Sequence, residues 1–440
     1  MVGWRDVAMR LGVVSATAIP LCPLPRMPAV VLSLYSHYAG GFQSEDQQAF
    51  VEQIKAVLDL ALARLAPPRP GTELLPFFVR ERWRAMVATA AVEMHYQPVV
   101  RLADGRVAEL EALARLRDVD GNLLPPGRFL PALSEDDLIV LFREGLTQAA
   151  ACRQMLEQAG CTLDMSVNAS AAALTDPRYA GIAAAVLAKS HCPPGALLLE
   201  ILESPIGTEH STPTGENGMQ ALKALGVRLV EDDLGAGYSS LIRLRQWPFD
   251  RVKIDQTIVL QVADEALRTL RFIRQLVRLG HDLDLEVVVE GLETPGLIEA
   301  AQILGADLGQ GYAFARPMPA SALRGWLAGF DSKWDVTQPV TALGTLAATL
   351  LWEERFDALP GDPVFWRRHA ETNDAPGAYL QHGNPASAAL IESHARMHAA
   401  SIGGPKDPVY RRAREVYIAQ LIHCVNAEER RGGRMLPDVA

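Results

Sequence analysis

Cysteine is scarce and scattered in this chain: Cys22, Cys152, Cys161, Cys192 and Cys424 are the five in 440 residues, with no CxxC pair. That spacing indicates neither a zinc knuckle nor a disulfide framework, and it fits a reducing cytoplasm. Long apolar runs are also missing. No stretch reaches the roughly 20 residues that a membrane-spanning helix needs. Arg5 and Arg10 ahead of LGVVSATAIPLC give a faint likeness to a secretory signal, but Pro20, Pro23 and Pro25 break the run and Arg26 follows it. Positive charge is in deficit, with 42 Lys and Arg against 52 Asp and Glu and a formal net charge of -10. This argues against a general nucleic-acid-binding surface, while leaving room for a local basic pocket that takes a phosphorylated small molecule.

What is present is organised around Glu231-Asp232-Asp233-Leu234-Gly235-Ala236-Gly237-Tyr238. An apolar run from Val227 to Val230 ends in carboxylates and then in a glycine-punctuated turn. It reads as a buried strand that delivers charge to its C-terminal end. Two adjacent Asp at a strand end can also be a helix N-cap. The same pattern recurs, however, with Glu111, Asn168, Glu200 and Glu203, Lys253, Glu290 and Glu293, and Gln310 each closing an apolar run. Helical spacing fills most of the intervals. Repeated strand-then-helix units of this kind imply an α/β fold, and a (β/α)8 TIM-like barrel gathers such strand ends into one ring at its C-terminal face.

The chain divides into four parts. Residues 1–66 hold a strand at 28–36 and a helix from a Ser44/Gln47 capping box to about Arg64, with Phe50, Ile54, Val57, Leu58, Ala61 and Leu65 on one face. Residues 67–92 are a proline-rich linker and a connector helix whose Arg80, Arg82 and Arg84 form a solvated face. The barrel spans 93–330. Its first strand, His95–Leu102, meets the second, Val107–Leu116, through an Asp104-Gly105 turn, so the two run antiparallel. Further strands are expected at 162–168, 196–202, 227–232, 250–255, 285–290 and 308–314, with a polar loop at 210–218. Residues 331–440 are helical and hold five of the ten histidines. Among these, His394 and His398 stand at i and i+4, a metal-capable spacing with no third ligand in register, which favours an ordinary surface or core pair.

On Tyr96-Gln97-Pro98, Glu111-Ala112-Leu113 with Arg115, Ser166-Val167-Asn168, Glu200-Ile201-Leu202-Glu203, Asp232-Asp233-Leu234-Gly235, Lys253-Ile254-Asp255, Glu290-Gly291-Leu292-Glu293 and Gln310-Gly311-Tyr312, in that order, residues 94–319 resemble the EAL-domain cyclic di-GMP phosphodiesterases. The first 66 residues resemble the last strand and helix of a GAF domain, on VVLSLYS, Phe42 and Ser44-Glu45-Asp46. The EAL resemblance implies hydrolysis of cyclic di-GMP to linear pGpG with two divalent cations, Mg²⁺ or Mn²⁺, with Ca²⁺ inhibiting. It implies that Glu111, Asn168, Glu200 and Asp232 hold one cation and that Asp232 bridges to a second held by Asp233 and Glu290. All these donors are oxygens, which suits a hard cation. By the same resemblance Lys253 contacts the nucleophilic water, Gln310 orients ligands, Gln97, Leu113 and Arg115 contact the substrate, and Glu203 and Glu293 brace the loop after Asp233. A homodimer is expected, with no nucleic-acid partner and a cytoplasmic location.

Several positions depart from the family pattern. Leu202 stands in place of Thr, Leu234 and Ala236 in place of Phe and Thr, Ser134 in place of Glu, and Glu231, in place of an apolar residue, adds charge beside the site. These changes keep a second reading open, a catalytically silent cyclic di-GMP receptor that signals through its flanking domains. No GGDEF-like cyclase half is visible.

Overall fold

The computed structural model of the chain describes residues 77–201, 216–234, 244, 247–330, 339–359, 362–371, 379–380 and 388–432, and near the start residues 7–8, 10–21, 30–44, 47–52, 54–55 and 58. Contacts divide the chain into two units, Met1–Pro76 and Phe77–Ala440.

In the first unit, strand β1 (Ser15–Leu21) pairs antiparallel with β2 (Val30–Ser36). The second strand lies where the sequence places one. The first falls in the run with the faint signal-like pattern, whose alternation SATAIPL is that of a half-buried strand. Ser44 and Gln47 exchange both bonds of a capping box, each at 3.2 Å. Phe50, assigned from spacing to an apolar face, is exposed. The linker at 66–72 lies outside the described residues.

The second unit opens with helix α1 (Phe77–Val87). Strands β3 (Val92–Arg101) and β4 (Val107–Arg117) follow as an antiparallel hairpin turned at Gly105, whose φ is +68°. A short β5 (Leu123–Leu124) flanks β4. The strands β6 (Asp164–Ala169), β7 (Leu197–Ile201), β8 (Arg228–Leu234), β9 (Arg251–Ile254), β10 (Glu286–Val289) and β11 (Leu308–Gly309) then run parallel in sequence order. β11 returns to β3, antiparallel, and closes an eight-stranded barrel, with β12 (Met318–Pro319) as a flanking bridge on β3.

β11 is much shorter than the expected 308–314. After Gly309 the chain leaves the ladder, and Ala313 donates to Leu292 O at 3.0 Å. Gly311 makes this possible, since a Cβ there would lie 2.2 Å from the Leu292 backbone. Part of the polar loop at 210–218 is also helix, because a helix begins at Glu216; residues 210–215 lie outside the described residues.

Helices cover the barrel: α2 (Glu135–Gln158), α3 (Pro177–Ser190), α4 (Glu216–Ala224), α5 (Val262–Asp282), α6 (Pro295–Ile303) and α7 (Ala320–Gly329). Ser134 caps α2 in a full capping box with Asp137, and Arg84 of α1 reaches Asp137 at 2.6 Å. Ser134 therefore has a local structural use, and Arg84 belongs to an ion pair rather than to a purely solvated face. The C-terminal helices α8 (Ala342–Asp357), α9 (Pro363–Glu371), α10 (Ala388–Ser401) and α11 (Pro408–Gly432) belong to the same unit as the barrel, with α8 packed along α6. Gly344 brings the two helices together, because a Cβ there would overlap Glu299.

The rings of His394 and His398 lie 4.6 Å apart, tilted at 48°, within an aromatic cluster. His398 lies 5.1 Å from Trp352, and His394 lies 5.2 Å from Tyr417. They are packing residues. No described helix is long and apolar enough to cross a membrane.

Candidate active site

Side chains alternate across a strand, so every second residue of the eight strands points into the barrel bore. The lower bore is filled by Val99, Val288 and Leu308. At the C-terminal ends of the parallel strands the inward positions turn polar. Register places Gln97 opposite Glu111, Asn168 beside Glu200, and Lys253 beside Val288, one residue pair below Glu290 and Gln310.

Lys253 stands at the centre. Its Nζ lies 2.5 Å from Glu290 Oε1, 2.9 Å from Glu200 Oε2, and 3.4 Å from both Glu111 Oε2 and Asp232 Oδ1. Glu111 is held on both sides, accepting from Asn168 Nδ2 at 2.9 Å and from Gln310 Nε2 at 2.6 Å. Gln310 also lies 3.3 Å from Gln97 Oε1, and Gln97 donates to Ala315 O at 3.1 Å. The sequence-predicted ligands Glu111, Asn168, Glu200, Asp232 and Glu290 thus share one site with Lys253, Gln310 and Gln97.

Four carboxyl groups converge on one ammonium in a largely buried site. Burial, then repulsion from Glu111, pushes the Glu200 pKa well above the ordinary value. Burial likewise pushes Glu290 up to about 8; Lys253 offsets part of this, while repulsion from Asp232 and Glu111 adds to it. For Glu111 burial is outweighed by Lys253 and its hydrogen-bond donors, and its pKa falls. Lys253 is held charged well above the ordinary range, its four carboxylates outweighing burial.

The double aspartate sits on an irregularity. Glu231 pairs with Val252 and Leu234 with Ile254, so three steps on β8 match two on β9, a bulge at Asp232–Asp233. Asp232 faces Lys253; the side chain of Asp233 lies outside the described residues. Glu231 is fully buried and shares the outward face of Val252. The expected charge beside the site is therefore turned away from it by strand alternation. Leu234 is buried in the core, while Leu202, Glu203 and Ala236 lie outside the described residues.

A cavity of about 400 Å³ opens above the carboxylates, lined by Gln97, Leu113, Arg115, Glu293 and Tyr312 among others. Arg115 is half-buried, donates to Ala114 O at 2.8 Å, and has its pKa lowered by burial. Arg316 lies 4.3 Å over the Tyr312 ring at the rim. Beneath the site, Arg251 bonds Glu109 and Glu286, a layer that sequence reasoning missed. Its signal was an inward position two residues before both Glu111 and Lys253.

The donor set is chemically suited to hard divalent cations: carboxylates and one amide, with no sulfur or imidazole. Glu200 Oε1 is buried with no hydrogen-bond partner. Among the described residues no three acidic, His or Cys side chains form a ready metal cage. The carboxylates converge on the Lys253 ammonium instead.

The chain is 34% identical over 228 residues to the cyclic di-GMP phosphodiesterase RocR of Pseudomonas aeruginosa, covering 52% of this chain and 57% of that protein. It is 32% identical over 270 residues to the cyclic di-GMP phosphodiesterase NbdA of the same organism, covering 60% of this chain and 34% of that one. It thus spans between about a third and just over half of these curated relatives. Among solved structures, the MucR phosphodiesterase in complex with c-di-GMP aligns with a TM-score of 0.50 at 31% identity, over 57% of this chain and all of that one. The cGMP-bound EAL enzyme Bd1971 aligns at 0.53 and 21% identity, over 68% of this chain and 80% of that one, a likeness of fold. The EAL domain family matches residues 80–317, more than half of the 440, and the chain belongs to it.

Proposed function

We propose that the chain hydrolyses cyclic di-GMP to linear pGpG in bacterial second-messenger signalling, as a phosphodiesterase dependent on two divalent cations. The observation that carries this reading is the convergence of four carboxyl groups on Lys253 at the mouth of the barrel, beside a cavity that offers Arg115. Glu111, Asn168, Glu200 and Asp232 would hold one cation, and Asp232, Asp233 and Glu290 the second. Bound there, Mg²⁺ or Mn²⁺ lowers the pKa of water and offsets charge on the phosphoryl oxygens. Lys253 holds the attacking water and balances charge as the phosphoryl group opens. Arg115 binds a non-bridging phosphate oxygen with its planar fork, while Gln97 and Leu113 fix the substrate's position. Gln310 locks the Glu111 carboxylate in place. By the family resemblance, Glu203 and Glu293 would brace the loop after Asp233.

Residues 1–66, as a partial GAF-like segment, and the C-terminal helices would regulate the reaction in a cytoplasmic homodimer. A cyclic di-GMP receptor without turnover is the second reading, favoured by the apolar Leu234 at the end of β8. Incubation of the purified chain with cyclic di-GMP plus Mg²⁺, Mn²⁺, Ca²⁺ or EDTA, followed by chromatography, decides between them. Cation-dependent pGpG supports the enzyme, while tight binding without product supports the receptor.

A further inference from the structure

Glu109 and Arg251 form a buried pair that neither the ring of strand-end residues nor the cavity includes. Glu109 Oε2 lies 2.5 Å from Arg251 Nη1, and the two side chains are 2% and 4% exposed. The same guanidinium reaches Glu286 Oε2 through Nε at 3.0 Å and Nη2 at 2.7 Å. In the closed ring β3-β4-β6-β7-β8-β9-β10-β11, β4 and β9 stand four strands apart in either direction. The pair therefore crosses the full width of the bore.

Its position along the strands matters as much. Glu109 precedes Glu111 by two residues on β4, and Arg251 precedes Lys253 by two on β9, so each lies directly beneath a site residue on the same inward face. Glu286 opens β10, four residues before Glu290, which directly follows that strand. One guanidinium thus joins the three strands that carry Glu111 and Lys253 and lead into Glu290. Around the pair the bore is partly filled by the close-packed apolar Val99, Val288 and Leu308. A planar fork engaging one buried and one half-exposed carboxylate fixes a direction, whereas apolar contacts tolerate sliding.

We propose that Glu109 and Arg251 are positioning residues that set the separation of Glu111 from Lys253 and Glu290, and through it the cation and water geometry of the active site. The proposal rests on the phosphodiesterase reading for its functional consequence and on the bore geometry alone for its structural one. Neither residue touches substrate.

Removing one partner would bury an unpaired charge and threaten folding, so the test replaces both: Glu109→Leu with Arg251→Met, two apolar side chains of similar volume. Glu286, itself 41% exposed, keeps its solvation in that variant. The companion is Arg251→Lys, which keeps the charge and loses the fork. Three quantities are read: the Glu111–Lys253 distance in crystals, Mn²⁺ affinity by calorimetry, and kcat and KM for cyclic di-GMP.

The double variant is expected to fold, with the 3.4 Å contact lengthened by more than about 0.5 Å, Mn²⁺ affinity weaker by about tenfold, and kcat lowered while KM holds within about twofold. Arg251→Lys should fall between it and the parent in all three. An unchanged Glu111–Lys253 distance together with unchanged Mn²⁺ affinity overturns the proposal. If the double variant does not fold, the same readouts on Arg251→Lys decide. If the parent chain neither binds Mn²⁺ nor turns over cyclic di-GMP, the phosphodiesterase reading fails, and the distance still decides whether the pair positions the site.

Discussion

Lys253 Nζ and Glu290 Oε1 meet at 2.5 Å between neighbouring strand ends, the shortest of the ammonium's four carboxylate contacts. A single cation in this position restrains the mutual repulsion of four acids, and the site's behaviour should follow from whatever weakens or replaces it.

Lys253→Met removes that cation while leaving Glu111, Glu200, Asp232 and Glu290 in place. Breaking a buried ion pair from one side costs about 3–5 kcal/mol, because the remaining charge has no partner. In EDTA the variant should therefore unfold at markedly lower denaturant than the parent. Added Mg²⁺ or Mn²⁺ should restore more stability to the variant than to the parent. Turnover should fall on the order of 10²- to 10³-fold even with saturating cation, since the ammonium beside the water is gone. Equal stability with and without cation would show that these carboxylates do not hold one.

Glu290 gives the site a pH signature. Burial and the neighbouring acids push its carboxyl up to about 8 in the folded protein, above the ordinary carboxylate range, by favouring the protonated form. A folded state that binds the proton more tightly than the unfolded state gains stability from it below the free value. That gain is lost as pH rises through the folded value. In EDTA, denaturation midpoints should decline from about pH 5 to about pH 9, and Glu290→Gln should flatten the decline. Cations compete with the same proton, so Mn²⁺ affinity measured by calorimetry should rise over that interval.

Arg115 is a cationic group of the cavity wall, half-buried and anchored by one N–H to Ala114 O. A residue that binds the phosphate equally in ground and transition states changes KM rather than kcat. Arg115→Ala should raise KM for cyclic di-GMP by about tenfold or more, with kcat within about threefold, and Arg115→Lys should recover little because it lacks the fork. A fall in kcat at unchanged KM would move Arg115 from binding to chemistry.

Much of this site was legible because strand alternation is local. An apolar run that ends in Glu111, Asn168, Glu200, Asp232, Lys253 or Glu290 declares both the strand and the inward-facing end without reference to any partner. The features that depend on a partner strand were not legible. The bulge at Asp232–Asp233 exists only in register with β9, and the Glu109–Arg251 bond joins residues 142 apart in sequence on opposite sides of the bore. Glu231 was misplaced because adjacency to Asp232 in sequence means the opposite face in a strand. β11 ends sooner than its apolar continuation through Tyr312 implies, because the backbone at Gly311 folds onto Leu292.

Glu299 joins the C-terminal helices to the barrel and predicts how far they matter to the site. Buried on α6, its carboxylate accepts from Val340 N at 2.6 Å, Thr341 N at 2.9 Å and the Thr341 hydroxyl, while Glu428 accepts from Ala342 N at 2.9 Å. Two carboxylates thus hold the positive end of α8. Glu299→Ala strips acceptors from buried donors and should cost about 2–3 kcal/mol, with amide exchange along 342–357 accelerating more than in the barrel strands. Glu299→Gln, which keeps one acceptor oxygen, should lose less. α6 begins at Pro295, five residues after Glu290, so release of α8 bears on the segment that ends in the site. Turnover should therefore fall in step with exchange at 342–357 across the two variants. Unaltered turnover at fully accelerated exchange would mean that the C-terminal helices stabilise the barrel without governing its chemistry.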